Sequence, residues 1–305
     1  MALTHATQAP ERPFKLSFEF FPPKSTDMEG QLWATVDDLA SWGPEFVSVT
    51  YGAGGTTREP TLETVRRLIA TTPLATASHL TCVSATREEV AQVVEEFKAV
   101  GVRHFVALRG DPPQGLGAAY EPHPGGFENA AALVKGLKDM GDFEISVSAY
   151  PEKHPESADL SVDLDMLKRK VDNGATRALT QFFFDNDVYE RYLEAVHRAG
   201  ISIPIVPGIM PILNLTQLKR FAGMCGASVP SWLDERFAGL DDQPAARAEV
   251  AAKVAAEQIA DLMKRGVEEF HLYTMNRAPL VNATLENLGL GRVDEATQKQ
   301  NFASA

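Results

Sequence analysis

Two hydrophobic rhythms alternate along this chain from end to end. Short runs rich in β-branched and aromatic residues read as strands: "KLSFEFF", "FVSVTYG", "TASHLTC", "HFVALRG", "EISVSAY", "RALTQFFF", "IPIVPGI" and "EFHLYTM". Between them lie stretches with apolar residues at helical spacing. In Arg87 to Val100, for instance, Val90, Val93, Val94 and Phe97 share one face. Eight such units in 305 residues predict an α/β fold of the (β/α)8 TIM-barrel type, rather than an open doubly wound sheet. The spacing is regular up to Pro207. After it, "NLTQLKRFAG", "PSWLDERFAGL" and the Ala-rich run from Pro244 to Arg265 predict extra helices before the last strand. No repeat or Pro/Ser-rich linker divides the chain. One barrel domain over 14–290 is expected, between a flexible tail at 1–13 and a polar tail at 291–305.

Composition narrows the class without changing that picture. A hydrophobic share of 44% and a charged share of 23% are ordinary for a soluble globular protein. The formal net charge of -12 argues against a nucleic-acid or anionic-membrane partner, while leaving room for a local anion site. Cys82 and Cys225 make neither a disulfide framework nor a zinc spacing. No apolar run approaches the roughly 20 residues of a membrane span. The opening "MALTHATQAPERP" lacks the charged and apolar regions of a secretory signal, so a cytoplasmic protein is expected. A homo-oligomer is left open.

In a barrel of this kind chemistry gathers at the carboxyl ends of the strands. The residues there are Glu19, "TYGAGGTTR" with Thr56 and Thr57, His79, and "RGDPP" with Arg109, Gly110 and Asp111. They continue with "YPEKHPE" (Tyr150 and His154), Gln181, "PGIMPILN", and "YTMNR" with Arg277. Each has a structural explanation when taken singly: a wall salt bridge, a glycine turn, a core histidine, a loop cap. "LKRKVDNG" reads alone as a solvated helix face. So many polar strand ends together would be odd for a purely structural barrel. No strand ends on a lysine for Schiff-base chemistry, and no His/Asp cluster has metal-ligand spacing. Neither GxSxG nor GxGxxG occurs.

Taken in order, "SFEFFPPK", "VSVTYGAGGTTR", "SHLTC", "LRGDPP", "SAYPEKHPE", "LKRKVDNGA", "TQFFFD", "VPGIMP" and "YTMNRA" resemble the methylenetetrahydrofolate reductase family over nearly the whole chain, in its short bacterial, barrel-only form. The resemblance implies a flavin enzyme. FAD would take a hydride from NADH or NADPH and pass it to 5,10-methylenetetrahydrofolate, giving 5-methyltetrahydrofolate in a ping-pong scheme whose cellular direction stays open. On the family pattern Glu19 matches the general acid that protonates folate N10. Its neighbours Phe18, Phe20 and Phe21 are expected to supply the apolar setting that disfavours a charged carboxyl. Asp111 matches the aspartate beside the flavin ring and the folate, and Gln181, Gln217 and Arg277 match substrate contacts. Thr56, Thr57, His79, Arg109, Gly110, Asp111, Ala130, Tyr150 and His154 fall at FAD positions. Asp163 would hold the adenosine end, and Arg169 with Lys170 would neutralise the pyrophosphate. Met166 departs from the polar residue expected there, and the segment 114–127 is longer than in the simplest members. Competing readings are a flavin barrel acting on another amine, of the proline dehydrogenase kind, a flavin-independent reductase of the same folate, and a barrel that only binds folate or flavin.

Overall fold

The computed structural model describes residues 13–52, 57–112 and 120–293. Its strands are β1 (Lys15–Phe20), β2 (Phe46–Val49), β3 (Thr76–Thr81), β4 (His104–Leu108), β5 (Glu144–Ala149), β6 (Arg177–Thr180), β7 (Ile205–Val206), β8 (Gly208–Ile209) and β9 (Glu269–Tyr273). All pair in parallel, in the order β7-β6-β5-β4-β3-β2-β1-β9-β8. The two ends of that order, β7 and β8, are separated in sequence only by Pro207. They are the halves of one strand, so the sheet closes on itself as the expected eightfold barrel. Proline has no N–H to give to a ladder, which is why the strand splits there. The Pro207 carbonyl still accepts from the His271 N–H at 3.0 Å.

Helices α1 (Thr26–Ala40), α2 (Arg58–Thr71), α3 (Arg87–Ala99), α4 (Ala130–Met140), α5 (Leu160–Asp172) and α6 (Asn186–Arg198) follow the first six strands. Three more, α7 (Leu215–Cys225), α8 (Trp232–Phe237) and α9 (Pro244–Lys264), precede β9, as the sequence predicts, and α10 (Ala278–Asn287) follows it. Local chemistry starts several of them. Thr86 and Glu89 form a capping box on α3, and Asn129, Asp159, Asp185 and Asn214 cap α4 to α7. Past α10 the chain stays packed to Val293: Arg292 pairs with Asp38, and the Val293 N–H donates to Ser41 at 2.8 Å.

Strand side chains alternate faces, and the two faces differ in kind. Outward-facing Leu16, Phe18, Phe20, Val47, Val49 and Phe105 pack with Leu32, Val36, Leu68 and Val94 of the surrounding helices. The lumen is filled by Phe46, Ala77, Val106, Leu179 and Val206, together with buried polar residues. A further apolar cluster, including Phe182, Ile212, Leu218, Leu233 and Phe237, seats α7 to α9 beside the barrel. This alternation corrects one expectation. Phe18 and Phe20 belong to the outer shell, so they lie on the opposite face of β1 from Glu19 and do not wrap its carboxyl.

Candidate active site

Glu19 lies near the carboxyl end of β1 and is 7% exposed. Ser48 on β2 and Tyr273 on β9 stand beside it in register. Its Oε2 is 3.5 Å from His79 Nε2 and 3.8 Å from His271 Nε2. Among the described residues no lysine or arginine lies within ion-pair distance of this carboxyl. His79 Nε2 also meets Ser48 Oγ at 3.2 Å. Burial pushes the His79 ring down to about 4, so it is neutral near pH 7 and offers Glu19 no positive charge. The Tyr273 hydroxyl donates to the Thr180 carbonyl at 2.6 Å, and burial drives its ionisation far up.

The backbone around Glu19 is held from the far end of the chain. Thr274 Oγ1 donates to the Glu19 carbonyl at 2.6 Å. The Asn276 side chain accepts from the Phe21 N–H at 2.9 Å and donates to the Phe21 carbonyl at 2.8 Å. To do this Met275 and Asn276 both take left-handed conformations, φ +51° and +52°, a turn that costs non-glycine residues energy. The "YTMN" turn thus fixes where β1 ends.

A second group of residues forms around the ends of β4 and β5 and the inner face of α5. Gly110 has φ +87°, and a Cβ there would fall 2.4 Å from Val83 Cγ1, so only glycine fits. Arg109 makes a bidentate pair with Glu156 at 2.6 and 2.9 Å and lies over the Tyr120 ring. Tyr150 packs edge-on against His154 with ring centroids 4.8 Å apart. Asp163 accepts from the His154 N–H at 2.8 Å and from Ser157 Oγ at 2.6 Å, tying the "YPEKHPE" loop to α5. Lys170 is 4% exposed, and its Nζ donates to the Ser148 carbonyl at 2.9 Å and to Ser148 Oγ at 3.2 Å. Burial lowers Lys170 to about 8, against the opposing pull of Asp163. Asp111 acts electrostatically on Tyr150, His154 and Cys225, which places it in the same group.

Comparison with known proteins decides what this barrel is. The family model described as methylenetetrahydrofolate reductase matches residues 4–289. The chain belongs to the methylenetetrahydrofolate reductase family. It is 46% identical over 275 residues to the 5,10-methylenetetrahydrofolate reductase of Pectobacterium carotovorum, covering 90% of each chain. To that of Escherichia coli it is 43% identical over 289 residues, 95% of each chain. Against methylenetetrahydrofolate reductase (NADH) 1 of Arabidopsis thaliana the identity is 37%, covering 92% of this chain but 49% of the plant protein. Among solved structures, an uncharacterized protein from Clostridium thermocellum that binds two copies of 5-methyl-5,6,7,8-tetrahydrofolic acid aligns with TM-score 0.61 over 90% of this chain and 93% of its own. At 14% identity that likeness speaks for the fold alone.

Not all the family positions come together. Gln181 directly follows β6; its Oε1 accepts from the Phe182 N–H at 3.1 Å, and it lines a small cleft with Tyr150, Lys153, Phe182 and Cys225. Thr57 Oγ1 accepts from the Gly52 N–H at 2.5 Å, and Ala130 is the buried first residue of α4. Gln217 on α7 and Arg277 at the start of α10 are exposed. Thr56 and 113–119, the larger part of the long segment, lie outside the described residues. Arg169 and Lys170 do not point together in this structure. Neighbours on a helix point about 100° apart, so Lys170 turns inward while Arg169 is exposed and bound to Asp165 at 3.0 Å. Met166 is half-buried on the same helix. Sequence reasoning also missed Ser48, Glu156, His271, Tyr273 and Asn276. The i, i+2 step from His271 to Tyr273 in "EFHLYTM" carried a signal, because two polar rings on one face of a barrel strand belong inside.

Proposed function

We propose that the protein reduces 5,10-methylenetetrahydrofolate to 5-methyltetrahydrofolate, drawing electrons from NADH or NADPH through bound FAD in a ping-pong sequence. It would work in the cytoplasm, in the one-carbon metabolism that feeds methionine synthesis. One observation carries this reading beyond the names of relatives: two buried ionisable groups stand in one barrel without a counter-ion. Glu19 has only imidazoles within ion-pair distance, and Lys170 has no carboxylate there, among the described residues. Uncompensated buried groups are costly, and a ligand that meets them repays the cost.

The donor set fits FAD. Lys170 is a buried cation suited to a pyrophosphate, Arg109 is a half-buried one already braced by Glu156, and Asp163 is an acceptor suited to ribose hydroxyls. Tyr150, His154 and the side-chain-free Gly110 would line the ring. When bound, FAD supplies reversible two-electron storage between the nicotinamide and the folate. The rest is work for the chain. Glu19 holds the proton that passes from its carboxyl oxygen to folate N10, which opens the methylene bridge and leaves a cationic iminium at N5. The Asp111 carboxyl stabilises that cation, and Gln181 orients the pterin edge.

The test is the visible spectrum of the freshly purified protein under anaerobic conditions. The reading expects a yellow protein that bleaches with NADH or NADPH and recovers its colour with methylenetetrahydrofolate. A colourless protein that still couples nicotinamide oxidation to folate would replace it with flavin-free transfer. Bleaching without recovery would point to a different acceptor.

A further inference from the structure

The barrel holds a buried histidine, beside the acid, that this chemistry leaves unused. His271 on β9 is fully buried at 0% exposure. One ring face stacks on Phe46 with centroids 5.9 Å apart, and Tyr273 meets it edge-on at 5.6 Å. Its Nδ1 lies 2.7 Å from Ser17 Oγ. Its Nε2 is buried with no hydrogen-bond partner among the described residues. A buried polar nitrogen left unpaired is a real cost and calls for a reason. Here the polar atom it faces is Glu19 Oε2, at 3.8 Å.

We propose that His271 is the positioning residue for the acid: through Nε2 it holds the Glu19 carboxyl in place, with the other carboxyl oxygen left for the substrate. The proposal rests on the reading of Glu19 as the proton donor. Ser17 makes the arrangement work in either protonation state. A neutral imidazole has one donor and one acceptor nitrogen. With the Ser17 hydroxyl turned to the Phe270 carbonyl, 3.4 Å away, Nδ1–H donates to Ser17 and the bare Nε2 accepts from a protonated Glu19. With the hydroxyl turned to Nδ1, Nε2 carries the hydrogen and donates to an ionised Glu19. The tautomer follows the carboxyl, and a side-chain shift of under about 1 Å closes the contact.

The other titratable or charged groups around the ring are His79 from β3, His104 from β4, Arg177 from β6 across the Phe46 ring, and Tyr273 on β9 itself. His79 already shares its Nε2 with Ser48, His104 bonds Ser146 Oγ at 2.8 Å, and Tyr273 donates to Thr180. None of them competes for His271 Nε2.

Two measurements on the holoenzyme test this. In anaerobic stopped-flow, His271→Phe is expected to slow flavin reoxidation by methylenetetrahydrofolate at least tenfold and to shift its pH profile. Reduction by NADH should stay unchanged, and His271→Gln, which keeps an amide donor and acceptor, should recover part of the loss. The second measurement is 15N NMR of labelled histidines between pH 5 and 9. The ring-nitrogen shifts of His271, which report its tautomer, should differ between the wild type and Glu19→Gln. A wild-type folate rate and pH profile in His271→Phe would overturn the proposal. So would His271 shifts that are the same in wild type and Glu19→Gln at every pH, a result that stands even if the His271 variants fail to fold. A wild type that never reoxidises with the folate would sink the assigned reaction instead, and the NMR comparison would still decide the pairing.

Discussion

At the amino-terminal end of the barrel, the charged residues that begin four strands hand their charges to one another. Lys15 pairs with Glu269 at 3.5 Å, and Arg177 pairs with both Glu269, at 3.5 Å, and Glu144. His104, kept neutral by burial, lies 3.9 Å from Glu144 and adds no charge. At the carboxyl-terminal end, Glu19 and Lys170 are buried and have no oppositely charged partner among the described residues. Both ends are built on the same strands, so the difference is not one of fold. It separates charge used to hold the barrel together from charge held ready for a ligand, and the second kind costs stability until the ligand arrives.

The largest expected effect comes from the rim. Glu19→Gln keeps the shape and removes the transferable proton, so the folate half-reaction should fall by roughly 100-fold or more. Flavin reduction by the nicotinamide should change little. Stopped-flow absorbance with each substrate mixed separately checks this. A normal reoxidation rate would return Glu19 to the wall.

At the base the signs reverse. Arg177→Met leaves Glu144 without its cation and Glu269 with Lys15 alone, and because both carboxylates are part-exposed it should cost about 1 kcal/mol of stability. Urea unfolding would read that loss, and the two half-reactions of the folded fraction should run at wild-type rates. A large kinetic effect without loss of stability would erase the distinction between the ends.

Acid should weaken the barrel through its inner histidines. Burial lowers His79 to about 4 and His104 to about 3, below the 6.5 of a free imidazole. Between pH 6.5 and those values the unfolded chain binds more protons than the folded one. Stability is therefore fully present above pH 6.5 and falls as the pH drops, by about 1.4 kcal/mol per unit for each group. Thermal unfolding from pH 7 to 4.5 should show this, and His104→Gln should flatten the slope. A melting temperature that does not fall with acid would mean the rings are not held neutral.

The smallest effect is reserved for Arg169. With its side chain in solvent beside Asp165, Arg169→Glu should change FAD affinity only a few-fold, as fluorescence titration would show. A loss as large as that from changing Lys170 would restore the two as a pair.

Much of this was open to reading from the chain, because a strand's end is local information. Glu19, Asp111, Tyr150 and Gln181 could be placed at the rim from the eight-unit rhythm alone. The shield expected from Phe18 and Phe20 failed because adjacency in a strand means opposite faces. Arg169 and Lys170, adjacent in sequence, diverge by the analogous rule for helices. What no local rule could supply was the setting of Glu19. Its neighbours His271 and Tyr273, and the Asn276 that fixes the strand end, arrive through closure of β9 on β1, more than 250 residues away. Pro207 was visible in "IPIVPGI", but its place as the gap between two half-strands depends on the same closure.

Lys170 shows most directly, in one measurement, whether the rim charges wait for a ligand. Melting temperatures of the wild-type and Lys170→Met apoproteins should be recorded together, with and without FAD at a hundredfold excess over the wild-type Kd. Without FAD the variant should be at least as stable as the wild type, since a buried ammonium without a counter-ion has been removed. With FAD the wild type should gain about 2.7 kcal/mol and the variant much less. An equal loss of stability in the variant with and without FAD would contradict the account. Lys170 would then be a strut for Ser148, and its place in the barrel structural.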